Sequence, residues 1–251
     1  MNHMTVEVTE LCFGYEPGQQ ALKNISFHAQ GQECIGIIGA NGSGKTTLLK
    51  MMVGLLFSHK GSIRIGDVLV EKKSLRSIRQ RIGYVFQDAD SQLFMPTLYE
   101  DVAFAPKNHG YSGEELERRV HAALEKVGIV HLRDTPVYKM SGGEKKLASI
   151  ACVLSMEPDL LLMDEPTSAL DSKNRRNFMN LIKEMPYLRM LVTHDLDMAW
   201  DVCDRVSLMD EGELIADGRA SEILSDRGLL EAHSLELPLC LQYQMHENAQ
   251  R

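Results

Sequence analysis

Residues 39–46 read Gly-Ala-Asn-Gly-Ser-Gly-Lys-Thr. They stand between a compact apolar run, Cys34-Ile35-Gly36-Ile37-Ile38, and a helix-forming segment, Thr47-Leu48-Leu49-Lys50-Met51-Met52-Val53, that stops at Gly54. Nothing else in the chain restricts its fold so strongly. A short apolar run fits a strand buried on both faces of a parallel sheet, and a glycine-rich turn straight into a helix makes a strand–loop–helix unit. Gly39, Gly42 and Gly44 let successive backbone N–H groups turn inward as a nest for phosphate oxygens, with the partial positive charge of a helix N-terminus behind them. The pattern of a phosphate loop is complete and in its required context, which sets aside a chance glycine turn with a stray lysine. Lys45 would reach the β and γ phosphates and the Thr46 hydroxyl would ligate Mg²⁺, with Asn41, Ser43 and Thr47 in the same nucleotide-binding set. ATP with Mg²⁺ is the expected ligand.

A second apolar run, Leu160-Leu161-Leu162-Met163, delivers Asp164 and Glu165 at its C-terminal end, where ligands of open α/β sheets bind. Asp164 is expected in the magnesium shell, and Glu165 is placed to polarise the water that attacks the γ phosphate. Alone, Asp-Glu-Pro after a strand reads equally well as a turn; the phosphate loop tips the balance. Ser141-Gly142-Gly143-Glu144 opens another helix, with Ser141 as N-cap and Glu144 placed to close a capping box. Two residues without side chains in that first turn leave N–H groups open to a second anion. The plainer reading is a capped helix after a linker.

Around these motifs the chain reads as α/β. Residues 4 to 35 alternate as short strands, with Glu16-Pro17-Gly18 as turn chemistry, which suggests a small antiparallel lobe. Ile82 to Phe86 and Met190 to Thr193 are further buried-strand candidates, and the helical segments between them argue for a parallel sheet with covering helices. Ser112 and Glu115 are expected to form a capping box ahead of Leu116, Val120, Ala123, Leu124 and Val127, which keep one helical face. The expected organisation is a sheet core with an antiparallel β lobe over about 1–87 and 157–233, a helical lobe inserted at about 88–156, and a C-terminal tail at 234–251.

Composition bounds the partners. The net charge is −8, and the 27 Lys and Arg are scattered in short pairs such as Lys72-Lys73, Arg118-Arg119, Lys145-Lys146 and Arg175-Arg176. Each pair reads as a solvated face, and no basic footprint for nucleic acid is present. The five cysteines, Cys12, Cys34, Cys152, Cys203 and Cys240, never form a Cys-x-x-Cys pair, so neither a disulfide framework nor a zinc site is indicated and a reducing cytosol is expected. Met1 to Leu11 lacks the apolar stretch of a signal peptide, and no run is long enough to span a bilayer, so a membrane would be reached through a partner.

Taken in order, these motifs resemble those of the ATP-binding subunits of ATP-binding-cassette (ABC) transporters, along nearly the whole chain. Ser141-Gly142-Gly143 resembles the family's signature, Gln87 its glutamine loop, Ser168-Ala169-Leu170-Asp171 its D-loop, His194 its switch histidine and Tyr15 the aromatic that stacks on adenine. Without that likeness, His194 reads as a histidine at a strand end and Tyr15 as a surface aromatic. The resemblance implies the ABC ATPase form of the P-loop NTPase fold, with a mixed, mainly parallel sheet core, an antiparallel β lobe and an inserted helical lobe. It implies hydrolysis of ATP to ADP and phosphate coupled to transmembrane transport. His194 would contact the γ phosphate, Gln87 would join the magnesium shell and meet the transmembrane partner, and Asp171 would lie at a dimer interface. Ser141, Gly142, Gly143 and Glu144 would serve the nucleotide of a second cassette, in a homodimer or a paralogous heterodimer. Three positions depart from the family pattern: Met140 replaces a leucine, Glu144 a glutamine, and Cys152 stands where many relatives carry arginine.

Phe86 to Phe94 further resembles the glutamine-loop extension of energy-coupling-factor importers, whose ATPases place a short helix there to grip a membrane scaffold protein, although Ala89 replaces the proline common at that step. Ser141 to Lys146 and Leu229 to Pro238 point the same way, toward the cobalt and nickel uptake branch, with vitamin importers as the alternative. The resemblance implies a transmembrane scaffold protein and a substrate-specific membrane subunit as partners, at the cytoplasmic face of the cell membrane. His3, His59, His109, His121, His131, His233 and His246 show no paired spacing, so no metal cluster is read from them. A soluble cassette ATPase of translation or DNA maintenance is the competing class. Such proteins usually fuse two cassettes or insert a coiled coil, and this chain does neither. A nucleotide-binding regulator without turnover runs against the presence of Lys45, Asp164, Glu165 and His194.

Overall fold

The computed structural model describes residues 4–16 and 18–243. Pro17 of the expected turn, His3, His246 and the tail beyond Tyr243 lie outside the described residues. In chain order the structure opens with β1 (Thr5–Phe13), β2 (Leu22–Gln30), β3 (Cys34–Ile38) and α1 (Lys45–Met52). It continues through β4 (Lys60–Ile65), β5 (Val68–Leu69), α2 (Leu75–Arg79), β6 (Ile82–Val85), α3 (Leu98–Asn108), α4 (Gly113–Lys126) and α5 (Gly142–Leu154). Then follow β7 (Leu160–Asp164), α6 (Ser172–Glu184), β8 (Leu188–Val192), α7 (Leu196–Val202), β9 (Arg205–Asp210), β10 (Glu213–Arg219), α8 (Ala220–Ile223) and α9 (Arg227–Ala232). Two compact units contain them, one from residues up to Arg79 and from Pro186 onward, the other from Gln80 to Met185.

In the first unit, β2-β1-β4-β5 form an antiparallel sheet, the lobe expected from the alternation over residues 4 to 35. Val6, Val8, Leu11 and Phe13 of β1 turn inward while Glu7, Thr9 and Glu10 face solvent, the period-two pattern of a half-buried strand. β3 is different: all five positions are buried, and so are those of β8. β3 runs parallel to both β8 and β9, with β10 antiparallel on the far side of β9. Flanked on both edges and covered on both faces, β3 has no solvent face, which is why its sequence shows no polar alternation.

In the second unit, β6 and β7 pair in parallel, Val85 opposite Met163. The helices α3, α4 and α5 pack on one another and lie inside the segment read as a helical lobe. The expected capping box at Ser112 does not form: Ser112 occupies the N-cap of α4 without a side-chain bond. Glu115 is instead held by Arg118 (2.8 Å to each carboxylate oxygen) and Arg119 (2.8 Å), partners one turn ahead that outcompete a neutral backbone N–H. A capping box occurs one helix earlier, between Thr97 and Glu100 at the start of α3. The reading of Lys145-Lys146 as a solvated pair is also corrected, because Lys146 is 1% exposed. From Lys146 to Ala151 every residue of α5 but none of its first turn is buried, so the helix is enclosed all round there. Among the described residues no helix is long and apolar enough to cross a membrane.

Candidate nucleotide site

The phosphate loop leaves the C-terminal end of β3, at the edge where β8 also ends. Ile37 lies opposite Val192, and the Thr193 N–H donates to the Ile37 carbonyl at 3.2 Å. The expected γ-phosphate contact, His194, therefore emerges beside the loop, exposed, one residue after a fully buried threonine. Within the loop the glycines adopt conformations closed to other residues: Gly39 at φ +148°, Gly42 at +83° and Gly44 at +100°. Gly44 caps α1 with no side-chain bond, so the first N–H groups of the helix stay directed at the loop. Lys45 is buried, its ammonium donating to the carbonyls of Gly39 (2.9 Å) and Ala40 (2.8 Å) and to Ser43 Oγ (3.3 Å). Asn41 and Gly42 are exposed at the tip, Ser43 is buried and Thr46 half-buried.

Tyr15 is 59% exposed and is tied to α1 by a 3.1 Å hydrogen bond between its hydroxyl and Thr47 Oγ1. Its ring meets Phe13 edge-on at 5.0 Å, and Phe13 lies parallel to His59. These rings border a cleft of about 670 Å³, lined also by Gln19, Gln20 and Leu56, which offers an aromatic face and amide groups to a planar heterocycle.

The second unit repeats the arrangement. Gln87 follows β6 and Asp164 ends β7, so both leave the C-terminal ends of paired parallel strands. Asp164 and Glu165 are 2% and 8% exposed. Glu165 has a left-handed backbone, φ +47°, a costly conformation for a residue with a side chain and one that re-aims the carboxylate away from the strand's alternation. The half-buried Tyr84 hydroxyl has its pKa raised by desolvation and by the charge of Asp164. Ser141 Oγ accepts from the Glu144 N–H (3.3 Å), and Glu144 accepts from the Ser141 N–H (2.7 Å) and hydroxyl (2.8 Å), the capping box read from the sequence. Beside this first turn a Cβ added at Gly142 would meet nothing nearer than Ala169 Cβ at 3.9 Å. Asp171 is exposed and caps α6 through the Asn174 N–H at 2.8 Å, a local task in addition to any at an interface.

Sequence reasoning missed the residues behind Gln87. Lys146 donates to the carbonyls of Phe86 and Gln87, both at 2.9 Å. Burial draws its pKa down to about 8, against the opposing pull of Asp164, Glu165 and Asp88. The available signal was the run Leu147 to Ala151, too apolar for Lys146 to sit on a solvent face.

The profile of the ABC transporter family matches residues 22–168. The chain belongs to the ABC transporter family. A protein of Geobacter sulfurreducens described as an ABC transporter ATP-binding protein is 46% identical over 242 residues, covering 96% of this chain and 97% of that one. The energy-coupling factor transporter ATP-binding protein EcfA2 of Methanospirillum hungatei is 40% identical over 242 residues, 94% of this chain and 61% of its own length. Among solved structures, cbiO1 from Clostridium perfringens, part of the ABC transporter complex cbiONQ, superposes with a TM-score of 0.81 at 36% identity, covering 90% of this chain and 93% of that one. The protein is thus an ABC transporter ATP-binding subunit with the P-loop NTPase fold of ABC ATPases, a family that hydrolyses ATP. The residues of this ABC subunit fit that ligand: a glycine cradle with inward N–H groups and a buried lysine suit a triphosphate. Each unit also offers hard oxygen donors of the kind Mg²⁺ takes, the Thr46 hydroxyl in the first and the Gln87 amide and Asp164 carboxylate in the second.

Proposed function

We propose that this subunit is the ATP-hydrolysing, energy-coupling component of an energy-coupling-factor importer, with Co²⁺ or Ni²⁺ as cargo and a vitamin or other micronutrient as the second reading. The observation that carries the class is the 40% identity with the energy-coupling factor ATP-binding protein of M. hungatei over 94% of this chain. The turn of 3₁₀ helix at Ala89–Ser91, within the stretch that resembles the importers' glutamine-loop extension, supports it. The preference for metal cargo rests on Phe86 to Phe94, Ser141 to Lys146 and Leu229 to Pro238.

In this reading Tyr15 stacks on adenine, and Gly39, Asn41, Gly42, Ser43, Gly44, Thr46 and Thr47 receive the triphosphate. Lys45 exchanges its carbonyl partners for phosphate oxygens, a swap of acceptors that never leaves a bare buried charge. Thr46, Gln87 and Asp164 hold Mg²⁺, which when bound neutralises charge on the transferred phosphoryl group. Glu165 orients the attacking water and accepts its proton, and His194 contacts the γ phosphate. Ser141, Gly142, Gly143 and Glu144 close on the nucleotide of a second cassette, identical or paralogous, with Asp171 at the interface. We assign the sheet core and β lobe to about 1–87 and 157–233, the signature lobe to about 88–156 and the tail to 234–251. A scaffold protein and a substrate-specific subunit hold the assembly at the cytoplasmic face of the membrane, and nucleic acid is not a partner.

Co-purification from membranes, followed by uptake of labelled Co²⁺, Ni²⁺ and a vitamin panel, tests this assignment. Integral membrane proteins are expected with the subunit, and uptake that depends on it. Recovery of ribosomes or DNA in their place would overturn the transporter reading, and uptake of a vitamin alone would overturn the cargo.

A further inference from the structure

Within the second unit, α5 is fastened at three places to the segment that follows β6. Lys146 Nζ donates to the Phe86 and Gln87 carbonyls at 2.9 Å each. Gln92 spans the same two elements: its Oε1 accepts from the Phe86 N–H at 3.1 Å, and its Nε2 donates to the Ser149 carbonyl at 2.7 Å. At the rim, Lys145 Nζ meets Asp90 Oδ1 at 2.6 Å. Asp90 is well exposed, and an ion pair in that setting contributes little, so the hold rests on Lys146 and Gln92. The Gln87 side chain is exposed and has no hydrogen bond among the described residues; where its amide sits is therefore decided by the backbone that these residues grip.

Packing does not explain an ammonium at 1% exposure. A methionine of similar length would fill the space without the desolvation of a charge. What the ammonium adds is a pair of charge-assisted bonds to two successive carbonyls, which fix that stretch of chain in direction as well as distance. Both anchors, Lys146 and the Ser149 carbonyl, belong to the helix whose first turn is the signature.

We propose that Lys146, aided by Gln92, is a positioning residue for Gln87, locking residues 86–92 to α5 so that the glutamine loop and the signature move as one piece. A shift of α5 imposed by a nucleotide at its N-terminus is then delivered to Gln87, and a shift of the loop imposed by a partner is delivered back to the signature. The inference rests on the role proposed above for Gln87.

The test is a double-mutant cycle on the full chain, reading ATP turnover and the KM for ATP. Lys146→Met is expected to lower kcat on the order of tenfold, as displacement of a metal-shell residue does, while KM for ATP stays at the wild-type value. In a Gln87→Ala background the same substitution is expected to cost nothing further. A purely structural lysine would instead reduce activity with the folded fraction in both backgrounds, and that additive result would overturn the inference. Gln92→Leu, which leaves Lys146 in place, is expected to follow the same pattern with a smaller loss, and it decides the matter where Lys146→Met does not fold. Gln87→Ala at the wild-type rate would overturn the role of Gln87 and the inference with it. Gln87→Ala slowed, with Lys146→Met additive, overturns the inference alone.

Discussion

At the scale of single residues, the phosphate-loop glycines differ in what surrounds them. A Cβ on Gly39 would lie 2.0 Å from the Met209 carbonyl oxygen and 2.8 Å from Ser43 Oγ, at a φ of +148°. One on Gly42, at φ +83°, would meet nothing within 4 Å. Gly42→Ala therefore bears only the left-handed cost of ~1–2 kcal/mol. Gly39→Ala adds a collision with backbone that cannot rotate away, and the loss is expected to exceed ~3 kcal/mol. Urea unfolding of the two variants measures the difference, and equal midpoints would refute the argument. Sequence marks both glycines as part of one pattern but cannot rank them, because the obstacle at Gly39 is Met209, brought alongside only when β9 pairs with β3. The left-handed backbone of Glu165 was equally hidden. Glutamate has no preference for that conformation, so no residue type announces it.

At the scale of elements, local signals proved readable where nothing competed for the side chains involved. Ser141 and Glu144 lie three residues apart and cap α5 as expected. Ser112 and Glu115 have the same spacing and fail, because Arg118 and Arg119 stand within reach of Glu115 and leave its carboxylate pulled down to about 2. Lys146 was misread for the converse reason: its partners are carbonyls on a loop some sixty residues earlier (|i−j| of 60 and 59), which no local pattern reveals. The cap of α5 has a titration signature. Glu144 is held below its ordinary pKa first by the Ser141 backbone N–H and then by the Ser141 hydroxyl. A carboxylate depressed in this way stabilises the folded state above the unfolded pKa, and the contribution fades as pH falls through the folded value. Ser141→Ala keeps the backbone bond and loses the hydroxyl, so the pKa of Glu144 is expected to rise part of the way back, with ~1 kcal/mol of stability lost at neutral pH. Carboxyl chemical shifts followed by NMR, with thermal unfolding at pH 7, give both quantities; an unmoved titration in Ser141→Ala would exclude the hydroxyl as a contributor.

At the scale of the whole molecule, the chain carries two sets of backbone N–H groups suited to phosphate, one in each unit. The phosphate loop carries its own N–H groups and Lys45, donors of the kind a triphosphate takes. The first turn of α5 is the second set in the function proposed above, with Ser141 and Gly142 exposed and Gly143 half-buried. In the role proposed for it, that second set takes a nucleotide brought by another cassette, so ATP should act as the adhesive between two copies and its hydrolysis should release them. Glu165→Gln separates the two events. It removes the proton acceptor, which is expected to slow turnover ~10²-fold or more, while leaving the side chain's volume and the donors of both sets in place. Sedimentation of the variant with ATP and Mg²⁺ is expected to show a stable dimer that reverts to monomer with ADP, while wild-type protein under turnover shows the dimer only transiently. Turnover at the wild-type rate in Glu165→Gln would remove Glu165 from the chemistry. A variant that binds ATP, fails to hydrolyse it and stays monomeric would show that the partner for the α5 donor set is a paralogous cassette and not a second copy of this chain.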